Sequence, residues 1–600
     1  ILHGVFEWKN TMAENEQQFS LGGNLWTIPE TDEIRCRQIA QQYDLPPYLA
    51  HILCLRDVPV AKVGDFLQPK IQNLMPDPYV LKDMQKAAER VADAVRKHEP
   101  IGIIGDYDVD GATSISELVR FFRQVGCEPA VHIPSREEGY GPSDVAFQKF
   151  RAADIRLVIT IDCGTTAFDV LNRAAAEDFE IIVIDHHEAE TILPKVYAVV
   201  NPKRIDEDTQ RPDLAYMSAV GVGFMFLTAV NRLLRQDGFY TAQPEPNLLN
   251  MLDLVALGTV CDVVPLRGLN RAYVRQGLKV MAQQGNIGLR SLMKTLHVEE
   301  APTAYHLGFV LGPRINACGR VGDASLGSKL LCSENEIEAE QLAEKFNQFN
   351  VERKEIENYV LLAAIEQVEG SDQEFPIAFA YGKDWHQGVI GIVAGRLKER
   401  YNVPAFVMSI ESDEVKGSAR SITGVDLGAL SIAAKEAGVI TGGGGHVMAA
   451  GFSLTEEQIP AFKEFAGNYV TKSLGKEKLA PVLTVDCVLH LSGVTDKMAA
   501  DFKKLEPYGT SNPEPLVMLQ NVMIRYPKMV GSGHVRCELT TKLGGRVPAI
   551  AFRCADNDIG HALLENRGDV YDVVGQIKLN VWQGKSSVQF TICDMMRKQS

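Results

Sequence analysis

Between residues 101 and 200 the chain alternates short β-branched runs with segments of helical periodicity, and this alternation limits the possible folds more than any other feature. Continuous apolar runs separated by helices are typical of a parallel sheet that is covered on both faces. The sequence therefore predicts an α/β domain with parallel strands at residues 101–104, 130–133, 157–161, 181–184 and 198–200.

The rest of the chain indicates further domains, because 600 residues correspond to about four domains of ordinary size. A second α/β lobe is predicted at roughly 375–469, with strands near 377–380 and 405–408. After Pro481, short strands with glycine turns are expected at 483–488, 516–524, 535–540, 573–579 and 587–593. Their density is typical of a small closed barrel of the oligonucleotide-binding kind, although a small β-sandwich would give a similar pattern.

A segment without glycine or proline extends from Ser333 to Glu369, and Gly370 follows it. Ser333 and Glu336 have the spacing of a capping box, and glycine is common just after a helix. At 1.5 Å per residue such a helix would be about 55 Å long. We expect one long helix, or two nearly collinear ones, joining the two α/β lobes. A helical hairpin within one domain is the alternative.

Composition argues against several classes of protein. No apolar stretch approaches the roughly 20 residues of a membrane span, and the N-terminal residues lack the features of a secretory signal. Eleven cysteines without a C-x-x-C pair indicate neither a disulfide framework nor a cysteine zinc site, so we expect a cytoplasmic protein. The net charge of −16 taken alone argues against nucleic-acid binding, but residues 501–600 carry 13 basic and 10 acidic side chains.

Acidic residues and histidines follow the first, third and fourth predicted strands, and one later apolar segment at 254–260. They are Asp106, Asp108 and Asp110 in GDYDVDG, Asp162, the triplet Asp185-His186-His187, and Asp262 in GTVCDVVPL. Open parallel sheets bind ligands beyond the carboxyl ends of their strands. We therefore expect these side chains to converge at one edge of the sheet.

Carboxylates that are forced together repel one another unless a cation neutralises them. An oxygen-rich donor set with one or two imidazoles favours Mn²⁺ or Mg²⁺ over Zn²⁺. Enough ligands are present for two ions, which could hold a phosphoryl group and activate water between them. A single aspartate at a strand end is usually only a helix cap, but three such ends with a DHH triplet indicate a metal centre.

The same residues carry a resemblance to a known family. GDYDVDG, IDCG at 161–164, the DHH triplet and CDVVPL are similar to motifs of the DHH phosphoesterase superfamily. The similarity continues through GPRINACGR (312–320), WHQGVIGI (385–392), KGSARSI (416–422), GGGGH (442–446) and LEPYGTSNPEP (505–515). In this set and order the chain resembles, from about residue 45 to its end, the bacterial members that degrade single-stranded DNA.

The resemblance implies a domain order and an activity. The expected parts are an N-terminal segment (1–75), a DHH catalytic domain (76–320), a connecting helix (321–372), a DHHA1 substrate-binding domain (373–475) and an oligonucleotide-binding barrel (476–600). The implied activity is 5′-to-3′ hydrolysis of single-stranded DNA to nucleoside 5′-monophosphates, in DNA repair and recombination, with two Mn²⁺ or Mg²⁺ ions. We expect single-stranded DNA, a single-strand-binding protein and a helicase as partners of a monomer in the bacterial cytoplasm, with no membrane association.

The resemblance also assigns roles by motif position. The implied metal ligands are Asp106, Asp108, Asp110, Asp162, His186 and Asp262, with Asp162 bridging two ions and Asp106 binding either directly or through a neighbouring ligand. The implied catalytic residues are Asp162, Asp110 and His187, and His187 would face the scissile phosphate. Cys163 and Cys261 lie beside ligands, where a thiolate would bind softer metals.

Three further groups of residues are expected to contact the DNA. Guanidinium groups in a predicted loop before the long helix would orient phosphates, and the backbone of a predicted glycine-rich loop at 442–446 would hold the terminal 5′ phosphate. The candidate substrate-binding residues are Arg136, Arg314, Asn316, Arg320, Ser418, Arg420, Ser421, Gly444, Gly445 and His446. In the barrel, Tyr508, Tyr526 and Trp582 are expected to stack on bases.

Two other functions use the same motifs. One is a DHH/DHHA1 phosphodiesterase for short oligoribonucleotides or cyclic dinucleotides, which would lack the C-terminal barrel. The other is a non-catalytic DHH scaffold of a replication complex, which would lack metal ligands. The barrel and the complete ligand set favour the exonuclease.

Overall fold

The protein is described by a computed structural model that covers residues 18–135, 138–207, 211–371, 374–411, 414–475, 480–542, 544–566, 568–582 and 585–598. This part of the chain divides into two compact units. The first contains the described residues of Ile1–Met75, Val263–Gln276 and Ala480–Ser600, and the second those of Pro76–Asp262 and Gly277–Leu479.

Strands and helices are numbered here in chain order. The strands are β1 (Leu25–Thr27), β2 (Ile101–Gly105), β3 (Ala130–His132), β4 (Leu157–Ile161), β5 (Glu180–Ile184), β6 (Ala198–Val200), β7 (Ala378–Lys383), β8 (Ala405–Glu411), β9 (Glu414–Arg420), β10 (Gly442–His446), β11 (Ala449–Leu454), β12 (Val482–Thr484), β13 (Cys487–Leu489), β14 (Val517–Val530), β15 (His534–Thr540), β16 (Arg546–Ala551), β17 (Val570–Trp582) and β18 (Lys585–Arg597). The α-helices are α1 (Glu33–Gln42), α2 (Pro47–Leu55), α3 (Val63–Leu67), α4 (Ile71–Leu74), α5 (Met84–Lys97), α6 (Val109–Gln124), α7 (Asp144–Ala152), α8 (Phe168–Ala176), α9 (Ala219–Gln236), α10 (Leu252–Cys261), α11 (Gly268–Ala282), α12 (Ile287–Thr295), α13 (Gly312–Val321), α14 (Leu326–Cys332), α15 (Glu336–Glu369), α16 (Gln387–Tyr401), α17 (Leu427–Glu436), α18 (Ile459–Leu474), α19 (Asp496–Phe502) and α20 (Asp558–Leu564). A π-helical segment, His306–Leu311, precedes α13.

The predicted parallel sheet is confirmed, with strand order β3-β2-β4-β5-β6 and every neighbouring pair parallel. The central strands β2 and β4 are buried along their whole length, which explains their continuous apolar sequence. Helices α7 and α8 pack on the face that includes Ile104, Val158 and Val183, and α6 and α9 also contact the sheet. All five strands therefore end at the same edge.

The predicted long helix is confirmed as one element, α15, of 34 residues, which ends before Gly370. Its cap differs from the prediction. Asn335 is the N-cap, because its side chain accepts hydrogen bonds from the backbone N–H groups of Ile337 and Glu338. Ser333 instead donates its hydroxyl to Glu338 and accepts from the N–H of Asn335, and so supports the turn before the helix.

The second α/β lobe contains a five-stranded sheet in the order β10-β11-β9-β8-β7. Strands β7 and β8 are parallel, as the α/β pattern suggests, and the pairs from β8 to β10 are antiparallel. The GGGGH run is therefore not the predicted loop but the edge strand β10. Glycine has no side chain to signal a strand, yet its backbone can pair as well as any other.

The C-terminal strands form a closed barrel, in which β14-β15-β16-β18-β17 are neighbours and β17 pairs again with β14. This arrangement confirms the oligonucleotide-binding type of barrel over a sandwich. Strand β16 was not predicted, because Pro548 lies inside it and proline argues against a strand. In the structure β16 pairs antiparallel with β15 and parallel with β18.

The described residues before 76 share a core with the barrel. Ile39, Leu49 and Leu53 from α1 and α2 belong to one buried cluster with Leu519 and Phe590. The β1 strand pairs in parallel with β12. Buried Asp594 accepts hydrogen bonds from four groups of the segment, the Ser20 hydroxyl, the Gly22 N–H, the Asn24 amide and the Trp26 indole. The barrel is therefore incomplete without the N-terminal segment.

No helix within the described ranges has the length and apolar character needed to cross a membrane.

In the first unit, one buried arginine anchors the turn formed by EPYGTSN (506–512). Arg271 is 1% exposed, and its guanidinium donates to the carbonyl oxygens of Leu505, Glu506 and Pro507 at 2.7–3.1 Å and to that of Phe66 at 2.8 Å. Burial lowers the pKa of Arg271 to about 9. We expect Arg271→Leu to cost about 3 kcal/mol locally, because it leaves buried carbonyls unpaired.

The measurement is amide hydrogen exchange of peptides covering 505–515, which should accelerate about 100-fold in Arg271→Leu. The matched control is Arg267→Leu, at an exposed arginine four residues earlier, which should exchange like the parent. Unchanged exchange in Arg271→Leu would show that the turn does not depend on this arginine.

Candidate metal centre and adjoining phosphate sites

The acidic side chains converge at the carboxyl edge of the parallel sheet. Asp106 follows β2, and Asp108 caps α6 by accepting from the N–H of Gly111 at 3.0 Å. A Cβ at Gly111 would lie 2.4 Å from the carbonyl oxygen of Asp106, so only glycine lets α6 begin this close to the strand. Asp162 follows β4 with a φ of 61°, in the left-handed region.

Two further acidic residues of this group, Asp110 and Asp262, occupy helical positions. Asp110 lies in the first turn of α6, and its carboxylate accepts from the N–H groups of Ala219 and Val220 at the start of α9. Asp262 follows the C-terminal end of helix α10. A helix, and not a strand of the sheet, therefore brings it close to the other acidic side chains, as predicted.

Three overlapping groups of side chains have ligand atoms within 4.8 Å of one another. The groups are Asp162, His186 and His187; Asp110, His186 and Asp262; and Asp106, Asp108 and Asp162. His186 Nε2 lies 3.2 Å from Asp162 and 3.8 Å from Asp110, and its Nδ1 lies 3.5 Å from Asp262. Because Asp162 and His186 each belong to two groups, the arrangement can hold adjacent ions that share ligands.

His186 is set up as a neutral imidazole. Its Nδ1 lies 3.1 Å from the carbonyl oxygen of Met217, which can only accept, so Nδ1 carries the proton. Burial lowers the pKa of His186, which favours the same neutral form. The lone pair of Nε2 then faces the carboxylates of Asp110 and Asp162, as a metal ligand requires.

The carboxylates of this centre carry an uncompensated electrostatic cost. Burial and then the charge of Asp262 raise the pKa of Asp110 to about 7, and burial with the charge of Asp108 raises the pKa of Asp262 to about 7. Burial and the charge of Asp110 raise the pKa of Asp162 well above its usual value. A divalent cation would remove this repulsion, and the oxygen-rich donor set fits Mn²⁺ or Mg²⁺.

Asp185 and His187 form an ion pair beside the acids. The carboxylate of Asp185 accepts from His187 Nδ1 at 2.7 Å and from three backbone N–H groups. Burial alone would raise the pKa of Asp185, but its bond to His187 holds it below the usual value. Burial likewise opposes the charged form of His187, yet the same bond raises its pKa to about 9. His187 is therefore a cation whose side chain is 39% exposed.

Three residues around His187 were not predicted as part of the site. The Tyr140 hydroxyl donates to the carbonyl oxygen of Asp162 at 2.8 Å and lies 3.3 Å from the imidazole of His187. Asn201 donates to the carbonyl oxygen of His187, and the charge of Lys203 partly opposes the rise in the pKa of Asp262 that burial and Asp108 cause. Asn201 and Lys203 directly follow the fifth predicted strand, so the strand-end argument could have found them.

The two cysteines beside the ligands are thiols rather than thiolates. Burial raises the pKa of both Cys163 and Cys261, and neighbouring carboxylates raise it further. Cys163 Sγ lies 3.5 Å from the carbonyl oxygen of Ile161, and Cys261 donates to that of Leu307 at 3.4 Å. The expected risk that a thiolate would bind softer metals is thus low.

Arg314, Asn316 and Arg320 lie on helix α13 and not in the predicted loop. Pro313 is compatible with this helix because it lies in the first turn. The glycines that suggested a loop instead allow close packing against neighbouring residues. Arg314 Nη1 donates to the carbonyl oxygen of Val310 at 2.8 Å, and Arg320 Nη1 to that of Gly388 at 2.9 Å. Burial and the nearby charge of Arg353, on α15, lower the pKa of Arg314.

A second cluster lies on one face of the β9-β11-β10 sheet. Arg420 is paired with Ala449, which is paired with His446, so these three residues stand in one row. The adjacent row on that face contains Ser418, Gly451 and Gly444, and Arg420 Nη1 donates to Ser418 Oγ at 3.1 Å. A Cβ at Gly444 or Gly451 would meet nothing within 4 Å, so these glycines leave an open space between the polar side chains.

Other predicted contacts have different places. Ser421 is 1% exposed, and its hydroxyl donates to the carbonyl oxygen of Val425 at 2.7 Å, so it supports the local loop. Gly445 packs against the backbone of β11, where a Cβ would lie 2.4 Å from the carbonyl oxygen of Ala449. Arg136 lies outside the described residues.

Comparison with known proteins agrees with this geometry. Residues 100–259 match the DHH family, N-terminal domain, residues 374–472 match the DHHA1 domain, and residues 485–594 match the RecJ OB domain.

Curated relatives and solved structures extend the match over almost the whole chain. Single-stranded-DNA-specific exonuclease RecJ of Bacillus subtilis (strain 168) is 31% identical over 95% of this chain and 70% of the relative. That of Escherichia coli (strain K12) is 33% identical over 92% of this chain and 99% of the relative. The crystal structure of RecJ in complex with Mn²⁺ from Thermus thermophilus is 27% identical, with a TM-score of 0.79 over 96% of this chain and 80% of that chain. The corresponding Mg²⁺ complex has a TM-score of 0.74 over 96% of this chain and 79% of that chain. The chain therefore belongs to the RecJ family.

Proposed function

We propose that this protein is a metal-dependent exonuclease that hydrolyses single-stranded DNA from the 5′ end to nucleoside 5′-monophosphates, in DNA repair and recombination. The observation that carries the proposal is the pair of shared ligands, Asp162 and His186, which link three donor groups at one sheet edge. Relatives of 31% and 33% identity are named single-stranded-DNA-specific exonucleases. Solved RecJ structures contain Mn²⁺ or Mg²⁺.

Each side chain at the centre has a role that follows from its surroundings. Bound Mn²⁺ or Mg²⁺ supplies Lewis acidity toward the phosphodiester and lowers the pKa of water. Asp106, Asp108, Asp110, Asp162, His186 and Asp262 would hold the ions. His187 is kept protonated by Asp185, so it can donate a hydrogen bond from Nε2 to a phosphate oxygen, where negative charge develops. Tyr140 fixes the position of that imidazole.

The cluster of Ser418, Arg420 and His446 on one face of the sheet supports recognition of the 5′ end. Arg420 is largely buried, which lowers its pKa, and a buried guanidinium pairs strongly with a phosphate that enters the site. The open space beside Gly444 and Gly451 could hold that phosphate. A terminal phosphate held here would make hydrolysis begin at the 5′ end.

The barrel supports a grip on the longer strand. Tyr526 is 77% exposed, and the cations Lys528 and Arg536 lie opposite each other on β14 and β15. Like charges at paired positions are unfavourable unless an anion binds between them. Of the other predicted stacking residues, Tyr508 is partly buried and donates to the carbonyl oxygen of Phe502, and the side chain of Trp582 lies outside the description.

The barrel and the complete ligand set argue against the alternatives of an oligoribonucleotide or cyclic-dinucleotide phosphodiesterase and of a non-catalytic scaffold. We further propose a monomer that acts with a single-strand-binding protein and a helicase in the cytoplasm. The domain boundaries at 75, 320, 372 and 475 also remain proposals.

The first prediction for this function concerns the shared carboxylate. Asp162→Asn should lower kcat at least about 1000-fold, because it removes the anion shared by two donor groups. The measurement is release of nucleotides from single-stranded DNA with Mn²⁺. Asp154→Asn, at an aspartate whose side chain is 96% exposed, is the control and should keep the parent rate. Retention of more than about a tenth of the rate in Asp162→Asn would contradict the shared-ligand mechanism.

The second prediction concerns polarity. Arg420→Ala should raise KM at least about tenfold on 5′-phosphorylated DNA and change kcat less, because it removes ground-state binding. On DNA with a 5′-hydroxyl, Arg420→Ala and the parent should have similar KM values. Arg400→Ala, at an exposed arginine of α16, is the control. Equal degradation from 3′ ends would reject the assignment.

The third prediction concerns the barrel. Deleting the barrel would expose the core that it shares with α1 and α2, so substitutions are the better test. The triple variant Tyr526→Ala, Lys528→Ala, Arg536→Ala should bind long single strands weakly. The slope of log K against the logarithm of salt concentration should become shallower by about 1.5. Hydrolysis of very short oligonucleotides should be unchanged. The double variant Lys497→Ala, Lys503→Ala, also at exposed positions, is the control. Equal losses on short and long strands would reject a gripping role.

A further inference from the structure

Two aromatic side chains on the second unit are exposed together. Tyr305 is 63% exposed and Phe309 is 70% exposed, and their rings stack with centroids 5.2 Å apart and an interplanar angle of 26°. Scattered single apolar residues on a surface are ordinary, but a stacked pair presents a continuous aromatic surface to solvent. Such a surface favours a flat, unsaturated ligand.

The backbone that carries this pair is fixed to the metal centre. Phe309 lies within the π-helical segment His306–Leu311, and Tyr305 directly precedes it. The opposite side of the segment is buried, because Leu307 and Leu311 belong to the core cluster that includes α10. The Cys261 thiol donates to the carbonyl oxygen of Leu307 at 3.4 Å, one residue before Asp262. A π-helical turn is rare and is often found at functional sites.

The same segment also supports a phosphate-binding candidate. Arg314 lies on α13, which continues the π-helical segment, and its Nη1 donates to the carbonyl oxygen of Val310. Its Nε is buried without a hydrogen-bond partner among the described residues. Residues 305–314 thus carry both the aromatic surface and the arginine, and they pack against the helix that ends just before Asp262.

We propose that Tyr305 and Phe309 form a platform on which a base of the single-stranded substrate stacks, while Arg314 binds the backbone phosphate of the same strand. This inference rests on the proposed exonuclease function and adds a base-binding site to it. Stacking accepts every base, so the platform would hold the strand without sequence preference. An apolar peptide is the less favoured occupant, because the pair lies on a segment that packs against α10, the helix that ends just before Asp262. Glu300, an exposed acid near this segment, is paired with His306 at 3.1 Å.

The test uses the full chain and a set of single-stranded oligonucleotides that each contain one abasic residue. Binding is measured by fluorescence anisotropy without divalent cations, and hydrolysis is measured separately with Mn²⁺. For the parent, loss of the base at one position should weaken binding about tenfold. For the double variant Tyr305→Ala, Phe309→Ala, the intact strand should bind about tenfold more weakly, with no further loss at that abasic position.

Two further variants separate stacking from a general effect on the fold. Tyr305→Phe with Phe309→Trp keeps both rings and should restore the parent profile. Tyr359→Ala with Leu362→Ala removes a pair of comparable exposure, 69% and 60%, from α15 and should bind like the parent.

Parent-like binding and abasic profile in the alanine double variant would overturn the platform, and would favour a protein partner for this surface. Binding without any hydrolysis by the parent would contradict the proposed function, while the variant profile would still decide the platform. No binding of single strands by the parent would overturn both.

Discussion

The mutual repulsion of buried carboxylates is the constraint on which this structure depends. Asp110, Asp162 and Asp262 are held close together at the end of a sheet whose central strands are wholly buried, so the fold gives them no room to separate. Burial and repulsion raise the pKa of all three. Such a cluster is stable as a set of anions only when divalent cations occupy it, which makes the metal part of the architecture as well as of the chemistry.

The charge balance of the site extends beyond the ligands. Asp185 receives four hydrogen bonds and keeps His187 protonated, so one carboxylate of the DHH triplet is used to create a cation rather than to bind one. Arg314 and Arg420 are partly buried, and burial lowers the pKa of both, so an entering anion would stabilise their charged forms. His187 thus places a cation directly beside the acidic centre, which suits the phosphodiester of the proposed substrate.

The strongest periodic signals in the sequence predicted the structure best. The parallel strands and the long helix follow from apolar runs and from the absence of glycine and proline, because burial of whole elements dominates their energetics. The convergence of Asp106, Asp110 and Asp162 followed from the strand-end rule, while their ligand roles remain predictions. Sequence patterns failed where glycine or proline was the signal. GGGGH is an edge strand, β16 contains Pro548, and Arg314 is on a helix.

These failures share a physical cause, since pairing with a neighbouring strand or packing against a remote segment overrides local preference. The same cause hid Tyr140, which reaches the site from another part of the fold. It also hid the shared core of the barrel and the segment before residue 76, which depends on contacts far apart in sequence.

The claim that the acidic cluster is a shared two-ion centre is tested most directly by counting bound metal. Equilibrium dialysis of the full chain against Mn²⁺, followed by elemental analysis, measures the number of ions per chain in the parent and in Asp162→Asn. The account predicts two ions in the parent and, because both donor groups lose a shared ligand, weakened binding of both in the variant. A single ion in the parent, or two ions bound with parent affinity in Asp162→Asn, would contradict it.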